Sequence, residues 1–201
     1  TTVRVDPRRH IASEGSASVV DLAAGEVVAE IPTGLHASGL AVSPDRRLVV
    51  CCNAASDTLT VIDAAADRIV ATLWAKASPA ELLGAAPNAA VFDSSGERLY
   101  VANGSQNAIA TFEFRAEDPA RSRLAGLIPV GWYPGALAFD PRRRRLAVAN
   151  VKGLPTERRR HPDLDAEGFN THHYFGSVSM VPLPDEETLA QLSQRVALNQ
   201  R

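Results

Sequence analysis

The feature that most constrains the fold is a segment that recurs along the chain at intervals of roughly 40–50 residues. Each copy contains short apolar runs separated by polar turns, and the second run of the three fuller copies ends in asparagine, at residues 48–53, 99–103 and 146–150. The runs are rich in Val, Ile, Leu and Ala, are bounded by Gly, Pro, Asn or Asp, and lack a helical period. Four short strands in a repeat of this length are typical of one β-propeller blade.

We therefore predict an all-β fold, a β-propeller of four-stranded antiparallel blades. We assign the blades to residues 1–35, 36–84, 85–131 and 132–183; the first copy is abbreviated and the last is interrupted by a loop insertion at 151–175. Residues 184–201 follow as an amphipathic helix or linker, with Leu189, Leu192 and Val196 on one helical face. Propellers hold about four to eight blades, so we expect these four to belong to a larger ring. The remaining blades would lie in a longer parent chain, or two half-rings would form a homodimer.

Composition excludes several classes of partner. The chain has 201 residues, 45% of them hydrophobic, and a formal net charge of -2, which gives no electrostatic argument for binding nucleic acid. It contains no run of about 18 apolar residues that would span a membrane.

Cys51 and Cys52 are adjacent, which predicts two small hydrophobic residues on opposite faces of a strand; a reactive or vicinal-disulfide pair is the alternative.

One blade carries a recognisable repeat signature. Tyr100-Val101-Ala102-Asn103 and its surroundings resemble the YVTN family of β-propeller repeats. Residues 128–138, 149–153 and 176–184 are similar to the propeller portion of bacterial proteins that join such a propeller to an alkaline-phosphatase-like phosphoesterase domain. This resemblance implies a helix that leads from the propeller into the phosphoesterase, and a periplasmic or extracellular location. The metal-binding and nucleophile motifs of that family have no matching positions here, so no catalytic residue carries over.

Because consecutive strands of a blade run in opposite directions, its turns lie on two opposite faces. The candidate functional residues can therefore be assigned to one face or the other. Loops between the second and third strands of a blade emerge on the same side as loops that lead to the next blade. The candidate ligand-binding residues on that side are His36, Trp132, Tyr133, Asn150, Lys152 and Tyr174. The competing interpretation makes Trp132 and Tyr133 packing anchors at a blade joint, and makes the asparagines turn caps or left-handed residues. Residues 142–145 are four arginines in a hairpin on the opposite side, either a solvated turn or a site for a phosphate or an acidic partner.

The insertion holds the residues that could bind a divalent metal: His161, Asp163, Asp165, His172 and His173. The run that begins at Asp163 opens like a calcium loop, but its twelfth position is Tyr174, where such a loop needs a bidentate carboxylate. We therefore expect no cofactor, with a divalent metal in the insertion as the alternative.

No nucleophile elbow, phosphate-binding loop, dinucleotide fingerprint or Cys-x-x-Cys motif occurs in the chain. The sequence therefore predicts a non-catalytic module that binds a small molecule or protein, or that serves as a scaffold for a phosphoesterase-like domain. Two alternatives stay open: a lactonase-like or metal-dependent propeller hydrolase with its site on the loop side, and a structural surface protein built from repeats.

Overall fold

A computed structural model describes residues 5, 7–8, 10, 14–82, 84–153 and 175–200. These residues form β-strands, a 3-10 turn at Pro119–Arg121 and one α-helix. The elements in chain order are β1 (Gly15–Asp21), β2 (Glu26–Thr33), β3 (Ala37–Val42), β4 (Leu48–Asn53), β5 (Thr58–Asp63), β6 (Arg68–Trp74), β7 (Pro87–Phe92), β8 (Arg98–Asn103), β9 (Ala108–Glu113), β10 (Arg123–Pro129), β11 (Trp132–Asp140), β12 (Arg145–Lys152), β13 (Ser177–Pro182) and α1 (Glu186–Asn199).

The strands pair only with neighbours in the chain, as in a series of propeller blades. The sheets are β1–β2, β3–β4–β5–β6, β7–β8–β9–β10 and β11–β12–β13, and every pairing is antiparallel. The second and third sheets are complete four-stranded blades. The prediction of an all-β fold, a partial β-propeller with a C-terminal helix, is confirmed. We call β3, β7 and β11 the inner strands, since each is the first strand of its blade.

Aspartates at strand ends explain why the chain turns where it does. The carboxylate of Asp21 accepts hydrogen bonds from the N–H groups of Ala23 and Ala24, and Asp63 does the same for Ala65 and Ala66. Such a side chain mimics a backbone turn, so two consecutive strands are joined by a short hairpin. The repeated hairpins on one side of the blades follow from these local interactions.

Two hydrophobic clusters hold the blades face to face. The first lies between the two complete blades and includes Val50, Leu59, Val101 and Phe112, all at most 1% exposed. The second joins the third and fourth sheets through residues such as Leu146. The inner strands are tied directly: Ser38 Oγ donates to the carbonyl of Pro87 at 3.1 Å, and Asn88 Nδ2 donates to that of Pro134 at 3.2 Å.

The C-terminal helix packs on the outermost strand of the third sheet. Asp185 caps it by accepting a hydrogen bond from the N–H of Thr188 at 2.8 Å. Leu189 and Val196 are buried, and Ser193 Oγ accepts a hydrogen bond from the N–H of Leu127 in β10 at 2.9 Å. The helix therefore covers part of a strand edge that would otherwise carry unpaired backbone groups. No helix among the described residues is both long and apolar enough to cross a membrane.

Both cysteines are free and buried in β4, with exposed fractions of 1% and 0% for Cys51 and Cys52. Desolvation raises the pKa of the Cys51 thiol, and desolvation together with Cys51 raises the pKa of Cys52 to about 12. Thiols in this state are weak nucleophiles at neutral pH, which agrees with a packing role.

Candidate functional site

The alternating strands place two sets of turns at opposite ends of the blades. The loop face comprises the turns at 34–36, 54–57, 75–86, 104–107 and 130–131, with residue 83 outside the described part. The opposite face comprises the turns at 43–47, 64–67, 93–97 and 141–144. Of the candidate ligand-binding residues, His36, Trp132, Tyr133, Asn150 and Lys152 are described, and all lie on or next to the loop face.

One residue in left-handed backbone stands at the start of each inner strand. His36, Ala86 and Tyr133 have φ angles of 56°, 46° and 58°. The carbonyls of His36 and Ala86 accept hydrogen bonds from the residues that follow the second-strand asparagines, Ala54 and Gly104, each at 3.0 Å. The repeat thus gives His36 and Tyr133 equivalent positions in two blades, at the loop-face end of the inner strands. His36 is exposed.

Trp132, Tyr133 and Lys152 form a cluster at the joint between the third and fourth sheets, which we call the Trp132 cluster. Trp132 and Lys152 are cross-strand partners, and the Lys152 Nζ lies 4.7 Å from the Trp132 ring centroid and 5.9 Å from that of Tyr133. These distances are those of cation–π contacts. The Tyr133 N–H donates to Asn107 Oδ1 at 2.8 Å, which fixes the cluster to the third blade.

Tyr133 is packed against the neighbouring turn, whereas Trp132 and Lys152 are exposed to solvent. Tyr133 is half-buried, and a Cβ added at Gly104 would lie 3.0 Å from its ring, so Tyr133 contacts the neighbouring turn closely. Trp132 remains 43% exposed and Lys152 is exposed. Within the described residues, no carboxylate pairs with Lys152. An indole ring and an ammonium group are thus both available at one point of the loop face.

Two of the three strand-end asparagines bond to the next strand of their own blade, and the third bonds to the segment that precedes its blade. Asn53 Nδ2 donates to Thr58 and Thr60, Asn150 Nδ2 donates to Ser177 and Ser179, and all donor–acceptor distances lie between 2.9 and 3.2 Å. The third, Asn103, donates instead to the Ala75 carbonyl and to Gln106. None of the three has left-handed backbone. Asn150 is 3% exposed, so its side chain supports the hairpin beneath the Trp132 cluster.

A buried ion pair lies on the loop face between the two complete blades, and sequence reasoning missed it. Lys76 Nζ lies 3.2 Å from Asp57 Oδ2, with side-chain exposures of 8% and 19%. Burial opposes ionisation of Asp57, but hydrogen bonds from the Ala86 N–H, Lys76 and the Ala85 N–H outweigh it and lower the Asp57 pKa. The two residues flank the β5–β6 hairpin, in which Thr58 pairs with Trp74 and the Ala75 N–H donates to the Asp57 carbonyl, so the hairpin itself brings them together.

The remaining candidates fall outside the described residues or away from the loop face. Tyr174 and the proposed metal ligands His161, Asp163, Asp165, His172 and His173 lie outside the described residues, so these predictions stay predictions. In the part of the chain that is described, no three His, Cys, Asp or Glu side chains are grouped as metal ligands. The arginines at 142–144 lie in the β11–β12 turn on the opposite face and Arg145 begins β12, and Asp140 pairs with Arg143 and Arg145.

The model of one protein family matches most of the chain. The sequence model of the cytochrome D1 heme domain family matches residues 10–156. No curated protein matches the chain.

Three solved structures share the fold with this chain. Hydrazine synthase from Kuenenia stuttgartiensis is 20% identical with a TM-score of 0.56, and 69% of this chain aligns with 39% of that chain. Dihydro-heme d1 dehydrogenase NirN in complex with DHE is 24% identical with a TM-score of 0.53, covering 69% of this chain and 29% of that one. A protein from Lactobacillus plantarum is 21% identical with a TM-score of 0.56, covering 70% and 42%. The chain thus aligns with less than half the length of each.

Proposed function

Because the chain belongs to the cytochrome D1 heme domain family, we propose that it is a propeller module that binds a flat, conjugated, anionic ligand at its loop face and has no catalytic activity of its own. The observation that carries the proposal is the Trp132 cluster. An exposed indole ring offers a stacking surface, and Lys152 offers a positive charge beside it. A planar ring with an acidic substituent would satisfy both groups at once.

An iron tetrapyrrole belongs to this ligand class. The family match favours a bound group of this kind, whereas the sequence alone led us to expect no cofactor. The donor types on the loop face fit such a group: His36 could offer an imidazole nitrogen to the iron, Tyr133 a phenol, and Lys152 a cation to a carboxylate. A bound iron tetrapyrrole would supply redox chemistry and open coordination positions. The protein's part would be to stack against the ring through Trp132 and to neutralise its acidic groups.

Titration with hemin and with iron-free protoporphyrin IX tests the proposal, since both offer the ring and the carboxylates and only hemin offers iron. We expect both to bind the full chain and to quench tryptophan fluorescence. Replacing Trp132 with alanine should weaken both by about tenfold or more, because stacking on an aromatic ring contributes about 1–3 kcal/mol. Replacing Lys152 with methionine should weaken both and remove the salt dependence of binding.

Two further variants give this experiment its controls. His36→Ala should shift the visible absorption of bound hemin and leave protoporphyrin binding unchanged if the imidazole is an iron ligand. Trp74→Ala removes a comparably exposed indole on another blade, 46% exposed, and should leave both affinities unchanged. Equal binding by the wild type and Trp132→Ala would rule out the Trp132 cluster as the site.

We also propose that the module serves as a platform in a longer, periplasmic protein that carries an alkaline-phosphatase-like phosphoesterase domain. The resemblance of residues 128–138 and 176–184 to such proteins supports this, as does a capped helix after β13. Apolar residues are exposed on both the first and the last sheet, including Val28 at 60% and Val178 at 67%. Further blades of the same ring would cover these faces, since a propeller blade packs against a neighbour on each side.

The purified chain should not hydrolyse phosphate esters or lactones, because among the described residues no serine, threonine or cysteine side chain hydrogen-bonds to a histidine and no three metal-ligand side chains are grouped. Assays with p-nitrophenyl phosphate and a simple lactone, together with metal analysis, check this. Turnover that is lost with the metal in His172→Ala would support the hydrolase alternative instead. A stable dimer in solution would identify a second copy, rather than further blades, as the cover for the outward faces.

A further inference from the structure

A polar cleft lies on the side of the third blade away from the loop face, beneath the start of α1. It has a volume of about 290 Å³. The blade contributes residues of β8, β9 and β10, and the segment from Leu183 to Glu186 closes the other side. Its volume is just below the range of about 300–1,000 Å³ in which ligand pockets fall.

The strand register explains why a cleft forms at this point. Tyr100, Thr111 and Gly126 are cross-strand neighbours, and the ladder between β9 and β10 is irregular between Leu124 and Gly126. Gly126 lets the helix approach closely, because an added Cβ would lie 2.6 Å from Ser193 Oγ and 2.7 Å from Leu189 Cγ. The helix can therefore approach the irregular part of the ladder, and the cleft lies between this part of the blade and the start of α1.

The cleft is lined by a buried threonine whose hydroxyl no other described group satisfies. Thr111 is 6% exposed, and its Oγ1 has no hydrogen-bond partner among the described residues. A buried hydroxyl without a partner costs stability, so it is uncommon in a well-packed blade. Beside it lies Tyr100, 4% exposed, whose pKa is raised by desolvation and by Asp93, so that the phenol stays protonated at neutral pH. Thr111 and Tyr100 thus line the cleft, and neither side chain carries a charge.

The walls of the cleft carry charges that nearly cancel. Arg98, Glu113 and Arg123 are aligned across three strands, with Glu113 accepting from Arg123 at 2.6 Å and lying 3.6 Å from Arg98. Asp185 and Glu186 face them from the start of α1, and the Asp185 carboxylate is already engaged as the helix cap. The positive end of the helix dipole offsets part of the remaining negative charge. A ligand with a net charge of either sign therefore gains little.

We propose that this cleft binds a small neutral polyol, of the size of a single sugar ring, through Thr111 and the Arg98–Glu113–Arg123 triad. Hydroxyl groups both donate and accept, so such a ligand can donate to or accept from Thr111 Oγ1 and also use the donors and lone pairs that the triad leaves free. The site is separate from the Trp132 cluster and does not depend on the function proposed for the loop face.

Titration of the ¹⁵N-labelled full chain with myo-inositol and D-glucose tests this site. We expect saturable shifts in the millimolar range at the backbone amides of Thr111, Gly126 and Thr188, and none at the Trp132 indole. Inorganic phosphate and putrescine, as anionic and cationic probes, should leave these amides unchanged. Saturable binding of either ion at the same amides would overturn the assignment of a neutral ligand.

Thr111→Val separates a binding role from a merely structural one. The substitution keeps the shape of the side chain and removes the unpartnered hydroxyl, so the melting temperature should hold or rise while polyol affinity falls about tenfold. Thr72→Val changes an exposed threonine in β6 and should alter neither. Unchanged polyol shifts in Thr111→Val, or no saturable shift with either polyol in the wild type, would overturn the proposal.

Discussion

Replacing Lys76 with methionine is expected to destabilise the protein by about 3 kcal/mol at neutral pH, because it leaves the Asp57 carboxylate without its cation in a largely buried position. Lys76 also donates from Nζ to the Glu81 carbonyl at 3.1 Å, and its ammonium lies 5.8 Å from the Trp74 ring centroid. Methionine fills a similar volume but can make none of these polar contacts. Urea denaturation followed by circular dichroism measures the loss.

The pH dependence of the same variant gives a second signature. The Asp57 pKa is lowered in the folded protein, so its contribution to stability is present above the unfolded pKa and is lost as the pH falls through the folded value. Lys76 is one of the groups that lower this pKa, so its removal should raise the folded value. Acid destabilisation in Lys76→Met should therefore begin at a higher pH than in the wild type.

Two controls distinguish a buried pair from ordinary surface charge. Arg47→Met breaks the pair with Glu117, whose side chains are 62% and 84% exposed, and should change stability little. The double variant Lys76→Met with Asp57→Asn should recover part of the loss, because it no longer buries an unpaired charge. A loss equal to that of Arg47→Met, or no recovery in the double variant, would show that the pair is not coupled.

The sequence predicts the blades well because their signals are local. Apolar runs, turn aspartates and strand-end asparagines lie within a few residues of one another, and the capping role of Asp185 is visible from its place before two acidic residues. The blade repeat also predicts which face each turn reaches. The alternation of strand direction within a blade is therefore enough to assign His36, Tyr133 and Lys152 to one face.

The parts of the sites that escaped prediction depend on how each residue is packed, which its neighbours in the sequence do not show. Lys76 has the sequence context of an ordinary loop lysine, and its burial depends on the fold of segment 75–86, in which Lys76 donates to the Glu81 carbonyl. The sequence around Thr111 predicts only a β-branched strand residue. Its hydroxyl lacks a hydrogen-bond partner among the described residues because the ladder opposite is irregular and α1 lies above it. No periodicity or motif carries that information.

The close contact between inner strands leads to the second large prediction, that Gly39→Ala will destabilise the protein by about 2–3 kcal/mol. A Cβ at Gly39 would lie 2.5 Å from the Asn88 carbonyl oxygen and 2.8 Å from the Ala89 Cα, and both are backbone atoms of β7. Backbone held in a ladder cannot move aside cheaply, so the two inner strands would have to separate. Their hydrogen bond from Ser38 to Pro87 would then weaken as well.

Gly135→Ala in β11 is the matched control for this effect. Its added Cβ would meet Val151 Cγ2 at 2.8 Å, the end of an exposed side chain that can rotate away, so the loss should be much smaller. Thermal unfolding of both variants, followed by calorimetry, should give a drop of several degrees for Gly39→Ala and little change for Gly135→Ala. Equal drops would mean that inner-strand spacing is not what limits stability, and that the apolar clusters between blades set the ring's geometry instead.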